Sequence, residues 1–160
     1  MTVTAAARDT DARTLTITAR FDAPVGRVWT LWEDPRLLER WWGPPTYPAT
    51  FVDHDLRPGG RSTYFMTGPE GDRPRGWWRS LTLEPPHHFV FENGFADETG
   101  APSPDEPIMV IGVALEERPG GGTTMTTTVS FPSDEAMERI LSMGMEEGMS
   151  AAMSQMDGLL

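Results

Sequence analysis

Polarity alternates with period two over residues 15–21, where Leu15, Ile17, Ala19 and Phe21 are separated by Thr16, Thr18 and Arg20. This is the pattern of a half-buried strand. The period then lengthens. Val25, Val28, Trp29 and Trp32 recur at helical spacing behind Pro24, a residue suited to a helix start because its missing N–H would find no partner in the first turn. Asp34 before Pro35 repeats the start signal, and Gly43 with Pro44 and Pro45 supplies a stop. Two short helices meeting at a bend are therefore predicted, with Leu38 and Trp41 on a shared face and Trp42 projecting from another. They carry four of the six tryptophans, more aromatic surface than two short helices can bury without a sheet beneath them.

Alternation resumes at residues 50–57, with Val52, His54 and Leu56 on one side and Phe51, Asp53 and Asp55 on the other. The turn Pro58-Gly59-Gly60 predicts an antiparallel return over 61–66. Further strands are read at 77–83, at 88–95 with Phe89, Phe91 and Phe95 on one face, at 108–115 and at 123–131. Residues 96–107 are acidic and proline-rich, and read as a mobile surface loop. Residues 1–13 are small, polar and aperiodic, and read as a flexible tail before a single domain over 14–160. From Ser133, an N-cap, the period is helical to the end of the chain. Met137, Leu141, Met145, Met149, Met153 or Ala152, Met156 and Leu160 form one stripe. Gly144 and Gly148 lie beside it, each costing roughly 1 kcal/mol of helix stability relative to alanine, so the pair implies either close approach of another backbone or room deliberately left.

Composition narrows the partners. A net charge of −11 opposes binding to a phosphate backbone or an anionic lipid surface, so no nucleic acid and no membrane insertion are expected. The absence of cysteine removes disulfides, thiolate nucleophiles and Cys-ligated metals. With no signal-peptide core and no membrane-length apolar run, the chain reads as soluble and cytoplasmic.

Candidate chemistry is sparse. His54 stands between Asp53 and Asp55, but in a strand those carboxylates point away from it, and no metal site is expected. His87-His88 enter a strand with no carboxylate at helical or strand spacing, and read as surface or turn residues. Ser62, Ser80 and Ser130 lack a nucleophile elbow, and the glycine clusters lack the lysine or helix of a phosphate loop. Arg57 and Arg79, with Asp55 and Glu92, read as cross-strand ion pairs; the sharper alternative is a buried arginine anchoring a carboxylate ligand.

The order of strand, two short helices, antiparallel sheet and C-terminal helix is α+β and resembles the helix-grip fold of the START-like (SRPBCC) superfamily. Phe21-Asp22-Ala23-Pro24, Val28-Trp29, Trp32, Asp34-Pro35 and Trp41-Trp42-Gly43-Pro44 look like the opening signature of homologues of the activator of heat-shock protein 90 ATPase. Asp55-Leu56-Arg57-Pro58-Gly59-Gly60, Gly68-Pro69-Glu70-Gly71, Gly121-Gly122-Thr123 and Gly144-Met145-Glu146-Glu147-Gly148-Met149 continue that pattern. The resemblance implies a curved sheet gripping a long helix, with an apolar cavity between them of roughly 300–1,000 Å³. Its expected lining is Trp41, Trp42, His54, Tyr64, Met66, Trp78, Phe91, Met145, Met149 and Met153. The partner implied is a small apolar molecule, lipid- or polyketide-like, and through the co-chaperone relatives a chaperone; no cofactor and no catalytic residue are called for. An enzyme of cyclase, dehydratase or hydrolase type is the alternative, drawing on Tyr64, His54 or Glu92. Exposed tryptophan or an unpaired sheet edge would favour a homodimer over a monomer.

Overall fold

Strand β2 (Thr14–Phe21) buries Leu15, Ile17, Ala19 and Phe21, the four residues of the alternating pattern. The computed structural model describes residues 3–160. The described residues form an antiparallel sheet of eight strands in the order β1-β2-β8-β7-β6-β5-β4-β3. Its remaining strands are β1 (Val3–Asp9), β3 (Ala49–His54), β4 (Arg61–Met66), β5 (Arg75–Glu84), β6 (His88–Ala96), β7 (Met109–Glu117) and β8 (Thr123–Ser130).

Strand β1 corrects the reading of residues 1–13 as a tail; Met1 and Thr2 lie outside the described residues. It was illegible because almost every side chain in it is exposed, so no alternation marks it. Backbone pairing to β2 holds it, and the Arg8 guanidinium meets Glu146 across 2.7 Å.

Helix α1 (Val25–Glu33) buries Val28, Trp29, Leu31 and Trp32 against the sheet. Asp34 then does two jobs. Its N–H closes α1 on the Thr30 carbonyl, and its carboxylate accepts from the Arg36 N–H at 2.8 Å to cap α2 (Pro35–Leu38). Leu38 and Trp41 are both fully buried, and the Trp41 indole N–H donates to the Leu31 carbonyl at 2.8 Å, locking the bend between the helices.

The C-terminal segment is not one helix. Helix α3 (Asp134–Ser142), capped by the Ser133 hydroxyl, ends at Met143, and helix α4 (Met145–Met153) starts afresh after Gly144, whose φ is +90°. Such a φ favours glycine because a Cβ crowds the following carbonyl there. A short 3-10 turn, Met156–Leu159, follows. Residues 97–107 carry hydrogen bonds and an ion pair of their own. The Asp97 carboxylate accepts from the Thr99 hydroxyl and the N–H groups of Thr99 and Ala101, bonds that hold it below the usual carboxylate range, and Arg139 reaches Glu106 at 2.9 Å.

Candidate functional site

Between α4 and the concave face of the sheet lies a cavity of about 190 Å³. Seven of the ten expected lining residues border it. Trp41 and Trp42 come from the turn after α2, Tyr64 and Met66 from β4, and Met145, Met149 and Met153 from α4. Trp78, Phe91 and His54 do not. Trp78 and Phe91 are fully buried behind the cavity wall, their rings 4.2 Å apart, in an aromatic cluster that continues through Trp32, Trp41 and Phe89. That cluster occupies much of the space between helices and sheet, which is why the cavity is smaller than the 300–1,000 Å³ typical of ligand pockets.

His54 turns inward for a reason alternation hides. A register irregularity between Phe51 and Asp53 puts both Phe51 and His54 on the inner face, their rings 5.6 Å apart, while Val52 is exposed. The imidazole spans Ser62 Oγ at 2.7 Å and the Trp32 carbonyl at 2.9 Å. A carbonyl only accepts, so Nε2 carries the proton and Nδ1 accepts from the Ser62 hydroxyl. Burial lowers the His54 pKa from its ordinary value, opposed by the Trp32 carbonyl and the negative charges of Asp55, Asp34 and Glu33. With both nitrogens occupied, His54 is a brace between α1 and β4. Asp53 accepts from the Thr63 hydroxyl and Asp55 pairs with Arg57, so neither carboxylate turns to the imidazole.

Asn93, Pro44, Gly148 and Ala152 also line the cavity. Asn93 was readable in principle, as a polar residue at an apolar phase between Phe91 and Phe95. Its side-chain N–H₂ donates to the Tyr64 hydroxyl and to the Trp77 carbonyl, each at 3.1 Å. Tyr64 lies across Gly76, where a Cβ would collide with the phenol oxygen. Burial pushes the Tyr64 pKa up, against the donors Trp42, Asn93 and Trp78 around its oxygen. Gly148 answers the question its sequence position raises. A Cβ there would meet nothing within 4 Å, so this glycine leaves room at the cavity edge.

The charged candidates sit elsewhere. Arg79 and Glu92 are directly opposed on β5 and β6 and pair at 2.8 Å on the outer face, partly exposed, so Arg79 is a surface pair and no ligand anchor. His87 meets Glu117 at 2.9 Å, and His88 meets Glu84 at 3.2 Å because the hairpin sets Glu84 opposite it, a carboxylate partner the spacing argument overlooked. Among the described residues no helix is long and apolar enough to cross a membrane.

A curved antiparallel sheet closed by C-terminal helices over an apolar cavity defines a START-like, helix-grip protein. The chain belongs to the Activator of Hsp90 ATPase homolog 1-like family, whose model matches residues 22–160. Protein Ms6760 from Mycobacterium smegmatis, a crystal structure, is similar over 99% of this chain and 96% of its own, at 50% identity and a TM-score of 0.91. A solution structure from Arthrobacter aurescens is 49% identical over 98% of this chain and 90% of its own, with a TM-score of 0.93. One from Staphylococcus epidermidis is 27% identical over 100% and 93%, at 0.82. No curated protein matches the chain.

Proposed function

We propose that the protein binds a small apolar molecule in the cavity between α4 and the sheet. The observation that carries this reading is the wall itself. Aromatic rings fixed by packing form one side, and Met145, Met149 and Met153 the other, an adaptable surface set beside a glycine that leaves space. At about 190 Å³ the cavity suits a ligand of one or two rings unless the methionines move. Among the described residues no carboxylate, histidine, lysine or arginine borders it, which favours binding over acid–base chemistry. Family membership supports the same reading, since this fold commonly encloses hydrophobic ligands.

The test is thermal stability of the purified protein across a panel of one- and two-ring apolar compounds, run beside Gly148→Leu. A ligand at 100 times its Kd should add about 2.7 kcal/mol to the stability of the unsubstituted protein. Leucine at 148 should fill the cavity edge and abolish that gain while the unliganded protein stays folded. If no compound raises Tm, and native mass spectrometry finds no apolar molecule carried through purification, the reading fails.

A further inference from the structure

Asn93 is the chain's one asparagine, and it stands within β6 on the buried face, only 7% exposed. Its amide nitrogen donates to the Tyr64 hydroxyl and to the Trp77 carbonyl. Because a carbonyl only accepts, the atom facing Trp77 is the nitrogen, which leaves the amide oxygen directed elsewhere. That oxygen has no donor among the described residues, yet it is not one of the unpaired polar atoms sealed inside the protein. It therefore opens onto the spaces that Asn93 borders. These are the cavity under α4 and a second of about 110 Å³, walled by Gly76, Gly94, Phe95 and Met109, which shares Tyr64, Met66 and Asn93 with the first.

Water can satisfy this oxygen when no ligand is present. An apolar ligand that fills the cavity takes that water away, and an amide oxygen left without a donor in apolar surroundings is costly. Resting on the cavity reading above, we propose that the ligand carries a neutral hydrogen-bond donor, a hydroxyl or N–H group, which it gives to the Asn93 amide oxygen at the junction of the two cavities. An ammonium would need a carboxylate beside it, and among the described residues none borders either cavity. A ketone or ether would set acceptor against acceptor, and a plain hydrocarbon would leave the amide oxygen bare.

The probes are 2-naphthol and 2-methylnaphthalene, molecules of nearly equal size differing by O–H against CH₃. With one asparagine in the chain, carbon-13 labelling of that residue type gives a single side-chain carbonyl signal in NMR. Donation to a carbonyl oxygen draws electron density from its carbon. In the unsubstituted protein 2-naphthol should therefore move the signal downfield of its position with 2-methylnaphthalene, a comparison in which the ring currents of the two bicycles cancel. Dissociation constants of both probes are then measured for the unsubstituted protein and for Asn93→Leu. The more water-averse methyl compound gains from desolvation in both proteins, so the quantity read is the change in the naphthol-to-methylnaphthalene affinity ratio. The substitution should cut that ratio about tenfold, the worth of one hydrogen bond. Should Asn93→Leu fail to fold, having also lost the bonds to Tyr64 and Trp77, the carbon signal of the unsubstituted protein decides alone. If both probes bind and the signal rests at the same position with each, donor recognition is overturned and the apolar cavity stands. If neither probe binds, the two readings fall together.

Discussion

The side-chain N–H₂ of Gln155, just beyond α4, donates to the Gly43 carbonyl at 2.7 Å and also reaches the Trp41 carbonyl at 3.3 Å. One amide thereby ties the end of the methionine wall to the turn that carries Trp41 and Trp42. Gln155→Ala should destabilise the protein by about 1 kcal/mol through the lost bonds and weaken ligand binding by loosening that turn. Gln155→Glu should cost more, because a carboxylate would face carbonyl oxygens that only accept. Denaturant unfolding of the two variants, beside affinity for any ligand found in the panel, checks the order.

The two glycines of the C-terminal helices should respond with opposite signs. Gly144 has a left-handed φ of +90°, and alanine there should destabilise by about 1–2 kcal/mol. Gly148 is an ordinary helical position facing open space, and alanine there should stabilise by up to about 1 kcal/mol. Chemical denaturation midpoints of both variants decide the matter; equal shifts would mean that α3 and α4 behave as one helix.

His54 should make stability depend on pH on the acid side of neutrality. Its folded pKa lies below the ordinary 6.5, so between the two values the unfolded chain binds more protons. The stability conferred by keeping the ring neutral is complete above the unfolded pKa and is lost as pH falls from about 6.5 through the folded value. Protonation would also place a hydrogen on Nδ1, where the Ser62 hydroxyl now donates. Unfolding free energies measured from pH 7.5 to pH 5 should therefore fall more steeply for the unsubstituted protein than for His54→Gln.

Arg79→Met should leave both ligand affinity and stability almost untouched, with a change in unfolding free energy below about 1 kcal/mol. The guanidinium serves a partly exposed pair with Glu92 on the face of the sheet away from the cavity. Loss of binding in this variant, at unchanged Tm, would restore a ligand-anchoring role.

Where burial is one-sided, the pattern of residues was enough to place the structure. Leu15, Ile17, Ala19 and Phe21 announce β2, while the methionine stripe, equally readable as core or as cavity lining, is divided between the two: Met137 and Met156 are buried in the core, and Met145, Met149 and Met153 border the cavity. The reading failed where no side chain reports the backbone's state. Strand β1 has no buried face, the bulge at Val52 reverses the phase that would have turned Phe51 outward, and Gly144 interrupts a helical period that continues on either side of it. Trp78 and Phe91 were assigned to the correct face of the sheet but to the wrong depth. Alternation tells inside from outside and carries no information on how many layers of ring stand between a strand and an empty space.

Of the two strands at the ends of the sheet, β3 meets α2 in a way that bears on how copies of this protein behave in a crowded solution. The Arg36 guanidinium donates to the Phe51 carbonyl and the Glu39 carboxylate accepts from the Phe51 N–H, both at 2.9 Å, so at Phe51 the two backbone groups that would template another strand are already engaged. The adjacent bulge bends the same edge, and β1 has a register irregularity of its own between Val3 and Ala5. Unprotected edges invite sheet-to-sheet growth. An incoming strand at β3 would have to displace a helix-borne clamp before it could pair, and removing Arg36 and Glu39 together should convert a well-behaved protein into one that aggregates through that edge.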